Sequence, residues 1–314
     1  MQTVFGPVPS RRLGQSLGVD PVVPKTCNWN CVYCQLGRST PLVAERREYV
    51  PAEDVIAEVA ERLKHYAGKI DWVTFVGSGE PTLHARLGWM IREVKALTDI
   101  PVAVITNGSL LYLEEVREEL TAADAVLPTL DAGTPELYRK INRPWPEPPF
   151  EVYVQGLIDF RAQYQGKYWL EVMLIRDLND TPEALHALAE QIARIRPDKV
   201  HLTLPERPPA EPWVQPPTEE GVMRALAILG QVAEVVHPAQ GTFDLSGYDD
   251  PQEAVIAVLA RHPLRERELL TALARWDADT VQHTLTALQA SGQVQVLERY
   301  GERFWSLASA KYAG

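Results

Sequence analysis

Between residues 17 and 204 of this 314-residue chain, short apolar runs alternate six times with stretches of helix length. Residues 17–25, 71–77, 101–106, 125–130, 168–175 and 199–204 read as strands. Helices are predicted over Pro51–Tyr66, Arg86–Leu97, Tyr112–Leu120, Glu151–Gln163 and Pro182–Ile195. In the first of these, Val55, Ile56, Val59 and Leu63 recur at helical spacing, Pro51 suits an opening turn and Gly68 an end. Strands that are each followed by helix-length chain imply a parallel sheet with crossover helices. Six such units give an α/β fold, a partial (β/α)6 barrel. A closed barrel of eight is disfavoured, because the alternation stops near residue 205.

Beyond it the pattern changes. Residues 205–217 form a proline-rich loop. A helix near Thr218–Leu229 and a short strand near Ala233–Val236 complete a first domain, set at residues 1–236. Residues 237–250 read as a linker and 251–314 as a second domain. Three helical patterns (Gln252–Arg261, Glu266–Arg275, Asp279–Ala290) precede two strands, Val294–Glu298 and Phe304–Leu307, around Gly301. That is a winged-helix outline. Its third helix carries no Arg or Lys, and His283 is its one possible cation, which argues against DNA reading. A docking module or a lid fits better, with Tyr300, Phe304 and Trp305 in the wing core or over an active-site mouth.

The chain is 46% hydrophobic and 23% charged, which suits a packed protein. A net charge of −11 argues against wholesale nucleic-acid coating. The N-terminus lacks the pattern of a secretory signal, and no run reaches the roughly 18 apolar residues of a membrane span. A cytoplasmic protein with no membrane partner is expected.

All three cysteines fall within eight residues, as Cys27-x3-Cys31-x2-Cys34. An odd, crowded set cannot be a disulfide framework. Three thiolates can hold three irons of a [4Fe–4S] cubane and leave the fourth iron open. The alternative is zinc, which usually wants four protein ligands. The loop offers no fourth cysteine and no histidine; the nearest, His65, lies beyond a helix.

With Tyr33 between its last two cysteines, this loop resembles that of the radical S-adenosylmethionine (SAM) superfamily, and the resemblance runs over residues 5–215. It implies a radical SAM type of barrel, SAM as second cofactor, and an electron from a flavodoxin- or ferredoxin-type donor. Reductive cleavage of SAM would release methionine and a 5′-deoxyadenosyl radical. Gly77-Ser78-Gly79-Glu80-Pro81 follows a strand, where the family carries a turn that receives the SAM amino group, so Gly77, Gly79 and Glu80 are assigned to SAM. Thr106 and Asn107 resemble the segment near the SAM ribose. Tyr33 is expected to pack on adenine. Asp131 and Arg176 are expected at the rim, Arg176 as partner of the SAM carboxylate, because such barrels place their sites at strand C-termini.

Phe5–Gly14, Lys25–Arg38, Gly77–His84, Ile141–Pro144 and Arg207–Val214 resemble, more narrowly, a group related to the wyosine-base synthases of transfer RNA. Those synthases carry cysteines for a second cluster, and this chain has none to spare. Arg11, Arg12, Lys25, Asn142, Arg143 and Arg207 are the candidate substrate contacts. Their charge suggests a phosphate or carboxylate, since arginine grips both bidentately. Three functions compete: an enzyme acting on a small anionic or nucleotide-like substrate or on RNA, an activating or maturation enzyme acting on a protein, and a metal-bearing winged-helix regulator.

Overall fold

The structure, a computed structural model, describes residues 2–237, 243–245 and 247–313. An antiparallel hairpin opens the chain: β1 (Val4–Ser10) pairs with β2 (Gly14–Val19). Five strands follow along the sheet, β3 (Trp72–Phe75), β4 (Val102–Thr106), β5 (Ala125–Pro128), β6 (Lys167–Met173) and β7 (Lys199–Thr203), and β8 (Ala233–Val235) ends it. Their spatial order is their chain order, and from β2 onward each neighbouring pair is parallel. The sheet is an open, partial barrel. Around it run α1 (Ala52–His65), α2 (Leu87–Leu97), α3 (Glu114–Leu120), α4 (Pro135–Ile141), α5 (Phe150–Gln163), α6 (Pro182–Ile195) and α7 (Glu219–Leu229). Val55 and Val59 of α1 and Met90, Ile91 and Val94 of α2 are fully buried beneath it with Val73 and Phe75 of β3. Each such side chain contributes about 1.5–3 kcal/mol by leaving water.

The strand expected over 17–25 is shifted: it is Gly14–Val19, and the chain turns into the cysteine loop from Asp20. Its partner β1, which holds Pro7 and Pro9, was not expected. β1 is the edge strand, where a missing N–H costs least. The strand expected over 168–175 stops at Met173. The Ile175 N–H donates to the Asn179 side chain (2.7 Å) instead of to a ladder. Helix α4 is also new to the structure.

The C-terminal unit comprises α8 (Pro251–Leu259), β9 (Leu264–Arg265), α9 (Glu266–Ala272), α10 (Ala278–Ala290), β10 (Val294–Arg299) and β11 (Glu302–Leu307), with strand order β10-β11-β9. It has its own core, including Val255, Leu259, Leu269, Leu285 and Trp305. Part of the expected linker, residues 238–242 and 246, lies outside the described residues. The unit docks on the barrel. Arg261 donates to the Gln2 carbonyl (2.7 Å) and lies 3.3 Å from Asp20. The last residues cross the cysteine loop: Tyr312 donates to the Gln35 carbonyl (2.7 Å), and the Arg38 N–H to the Lys311 carbonyl (2.7 Å). Among the described residues no helix is long and apolar enough to cross a membrane.

Candidate active site

Cys27, Cys31 and Cys34 are free and half-buried in the loop that leaves β2. The end of α4 clamps this loop: the Asn30 N–H donates to the Asn142 carbonyl (3.1 Å), and the Val32 N–H to that of Ile141 (2.9 Å). N–H donors approach every sulfur. The Trp29 N–H lies 3.4 Å and Asn107 Nδ2 3.9 Å from Cys27 Sγ. Asn142 Nδ2 lies 3.8 Å from Cys31 Sγ, and Lys25 Nζ 3.3 Å from Cys34 Sγ. Burial, with the Glu80 charge adding to it, pushes the Cys27 thiol up to about 12, and burial also holds the Cys31 thiol well above the usual range.

The turn after β3 is pressed against this loop. Glu80 N–H donates to the Thr26 carbonyl (2.8 Å), and Lys25 N–H to that of Ser78 (2.8 Å). A Cβ on Gly79 would sit 2.0 Å from the Thr26 oxygen, so only glycine allows the approach. The Glu80 carboxylate is buried. It accepts from the Thr82 hydroxyl (2.6 Å) and N–H (3.0 Å), the Thr106 hydroxyl (2.6 Å) and the Asn107 N–H (2.7 Å). Burial raises its pKa, and those donors hold it back. Asn107 Nδ2 also reaches Asn28 Oδ1 (2.8 Å), so the cysteine loop, the Gly77–Glu80 turn and the end of β4 form one hydrogen-bonded rim.

Beside this rim lies a chamber of about 600 Å³. The inner face of the sheet supplies Ser16, Thr74, Ile105 and Met173, and the rim supplies Tyr33 and Gly77. Arg11 and Arg12 enter from the β1–β2 turn, Arg207 from the loop after β7, and Arg261, His262 and Arg265 from the C-terminal unit. On its floor Arg12 is paired with Glu171 at 2.6 Å.

A family model, the radical SAM superfamily, matches residues 22–189. The chain belongs to the radical SAM superfamily. A UPF0026 protein of Methanocaldococcus jannaschii is 38% identical to this radical SAM chain over 280 residues, 86% of each. A Brachyspira hyodysenteriae protein named GTPase Obg is 47% identical over 204 residues, 65% of this chain and 30% of that protein. A radical SAM methyltransferase structure from Sphaerobacter thermophilus matches with a TM-score of 0.55 at 18% identity, covering 70% of this chain and 66% of that one.

Radical SAM enzymes bind a [4Fe–4S] cluster and SAM, and the donors here fit the cluster. Among the described residues no three His, Cys, Asp or Glu side chains converge on one point, as a single zinc would require. A cubane takes one thiolate per iron, and N–H donors to sulfur are how a protein tunes it. Thiols pushed upward need a cation beside them to ionise, and the irons of a cluster held by Cys27, Cys31 and Cys34 would supply it.

The residues named from the sequence divide by whether they line the chamber. Arg176 is exposed beyond the end of β6, its Nε donating to the Pro216 carbonyl (2.8 Å), and does not line the chamber. Lys25 Nζ donates to the Gly37 carbonyl (2.7 Å) and lies 3.3 Å from Cys34 Sγ, outside the chamber lining. Asn142 is fully buried, donating to Asp131 (2.7 Å), and Arg143 pairs with Glu211, which also holds Arg38. Neither reaches the chamber. Asp131 does not face it either: its carboxylate accepts from the Tyr33 hydroxyl (2.6 Å), Asn142 and the Met173 N–H (2.8 Å). Burial raises Asp131 to about 6 against the pull of those donors. Tyr33, Gly77, Arg11, Arg12 and Arg207 do line it. Sequence reasoning missed Asn28, whose place between two cysteines was a usable signal. It also missed Arg261, His262 and Arg265, for which no local signal exists.

Proposed function

We propose that this radical SAM enzyme holds its cluster on Cys27, Cys31 and Cys34 and abstracts hydrogen from a small anionic or nucleotide-like substrate. The observation that carries the reading is the single rim in which a three-cysteine loop, Glu80 and Asn107 are hydrogen-bonded together beside a chamber. The cluster, when bound, supplies the electron that breaks the C5′–S bond of SAM, releasing methionine and a 5′-deoxyadenosyl radical. The chain's own work is positioning. Gly77 and Gly79 let backbone approach SAM, and Glu80 fixes the turn and offers negative charge to the SAM ammonium. Tyr33, held by Asp131, presents its ring to the chamber. A flavodoxin- or ferredoxin-type donor supplies the electron. The C-terminal unit, read as a winged helix, serves as a lid.

An anaerobic preparation with about four irons per chain, yielding 5′-deoxyadenosine from SAM on reduction, is the expected result. Alanine at Cys27, Cys31 or Cys34 should abolish that product. Zinc in place of iron, or SAM cleavage that survives all three substitutions, would sink the reading.

A further inference from the structure

Where the C-terminal unit meets the barrel, guanidinium groups from both line the chamber. Arg11 at the opening hairpin, Arg207 after β7 and Arg265 at the head of α9 come from three separate segments and line one space. Their carboxylate partners do not satisfy all three. Glu206 lies 2.9 Å from Arg11. Glu268 lies 2.9 Å from Arg265, which Glu302 also contacts. Among the described residues, Arg207 has the Pro263 carbonyl and, 3.8 Å away, the other oxygen of Glu268. Its side chain is only 18% exposed, so little water reaches it. Burial, with Arg11 and Arg265 repelling it, pushes its pKa down to about 10. The adjoining His262 has a buried Nε2 without a hydrogen-bond partner. Burial, together with Arg207, Arg261 and Arg11, holds that ring neutral.

A cation with little exposure, whose ion pair with Glu268 is as long as 3.8 Å, is costly until an anion completes it. The facing walls, with Val8, Ile105, Met173, Ser16 and Thr74, suit an organic body. Gly77 and Tyr33 line the same space. A molecule anchored at the arginines therefore reaches toward the SAM turn. Binding energy spent on such a remote anchor orients the reacting end.

Resting on the radical SAM reading above, we infer that Arg11, Arg207 and Arg265 together receive one oxyanion, a phosphate or a carboxylate, of a small organic substrate. The C-terminal unit is thus a substrate-binding wall of the enzyme.

The test titrates anaerobic, cluster-loaded full-length protein with inorganic phosphate, and separately with acetate, at constant ionic strength by calorimetry. At least one anion should bind at one site per chain. Binding should weaken at least tenfold in Arg207→Gln and Arg11→Gln, and stay unchanged in Arg176→Gln, whose guanidinium lies outside the chamber. The tighter anion identifies the group the substrate carries. Arg11 is partly exposed and decides the matter if the Arg207 variant does not fold. No stoichiometric site for either anion, or equal affinity in wild type and both variants, would overturn the assignment. Each protein is also reduced with SAM alone and its 5′-deoxyadenosine measured. Variants that lose the anion but still cleave SAM support the receptor. A wild type that binds the anion yet cleaves no SAM keeps the receptor and rejects the proposed chemistry.

Discussion

Glu80 accepts four hydrogen bonds, two from its own turn and two from the end of β4. It therefore joins two loops of the rim before any ligand arrives. In Glu80→Gln the amide nitrogen must face either the Asn107 N–H or the threonine donors, setting donor against donor. Such a buried mismatch costs about 1–3 kcal/mol. The variant should lose that much stability in a denaturant melt, and its cluster-loaded form should bind SAM at least tenfold more weakly. Lost stability with unchanged SAM affinity would leave Glu80 a purely positioning role. The cysteine loop and the Gly77–Glu80 turn, which the structure packs together, were readable as motifs because each is a spacing within a few residues. For Asn142, Arg143 and Arg176 the partner that takes each is decided by tertiary placement, as with Glu211 for Arg143, and spacing carries no sign of it.

Helix α6 shows what makes an element legible. Thr181 caps it, its hydroxyl accepting from the Ala184 N–H (3.3 Å), and Pro182 opens its first turn. Five apolar residues then face the sheet, Ala184, Leu185, Leu188, Ile192 and Ile195. Cap, proline and period agree, and the predicted Pro182–Ile195 is the observed helix. Thr181→Ala should cost about 1 kcal/mol, a drop of about 2–4 °C in Tm, with SAM cleavage intact. No change in Tm would show that the cap is satisfied by water instead. Elements whose signals conflict were missed. β1 carries two prolines that only an edge tolerates, and β9 has two residues, too few for any period. Helix α4 was readable in part, since Thr134 and Pro135 repeat the cap of α6, but its seven residues hold barely two turns.

At the scale of the whole molecule, the seam between barrel and C-terminal unit lies beyond the reach of sequence reading, because it joins residues remote in the chain, from Arg207 with Pro263 to Gln2 with Arg261. His262 sits in that seam, its ring 6.1 Å from that of Phe5 in β1 and 5.5 Å from that of Phe243. The charged groups around it, Arg207, Arg261 and Arg11, are all cations; burial and these charges take its pKa down to about 3. An unfolded histidine titrates near 6.5. The unfolded chain therefore takes up a proton that the folded chain refuses, so the stability His262 permits is full above about 6.5 and is lost as pH falls toward 3. Between pH 7 and pH 5 that loss is about 1–2 kcal/mol. Asp131, raised to about 6, works in the opposite sense, since the folded state holds its proton more tightly. The difference between wild type and His262→Gln isolates the histidine, because Asp131 is common to both. Denaturant melts from pH 5 to 7.5 should show wild type losing 1–2 kcal/mol more than His262→Gln on acidification. Parallel curves would mean that the seam opens enough to hydrate the ring, and the C-terminal unit would then be a loosely held cover.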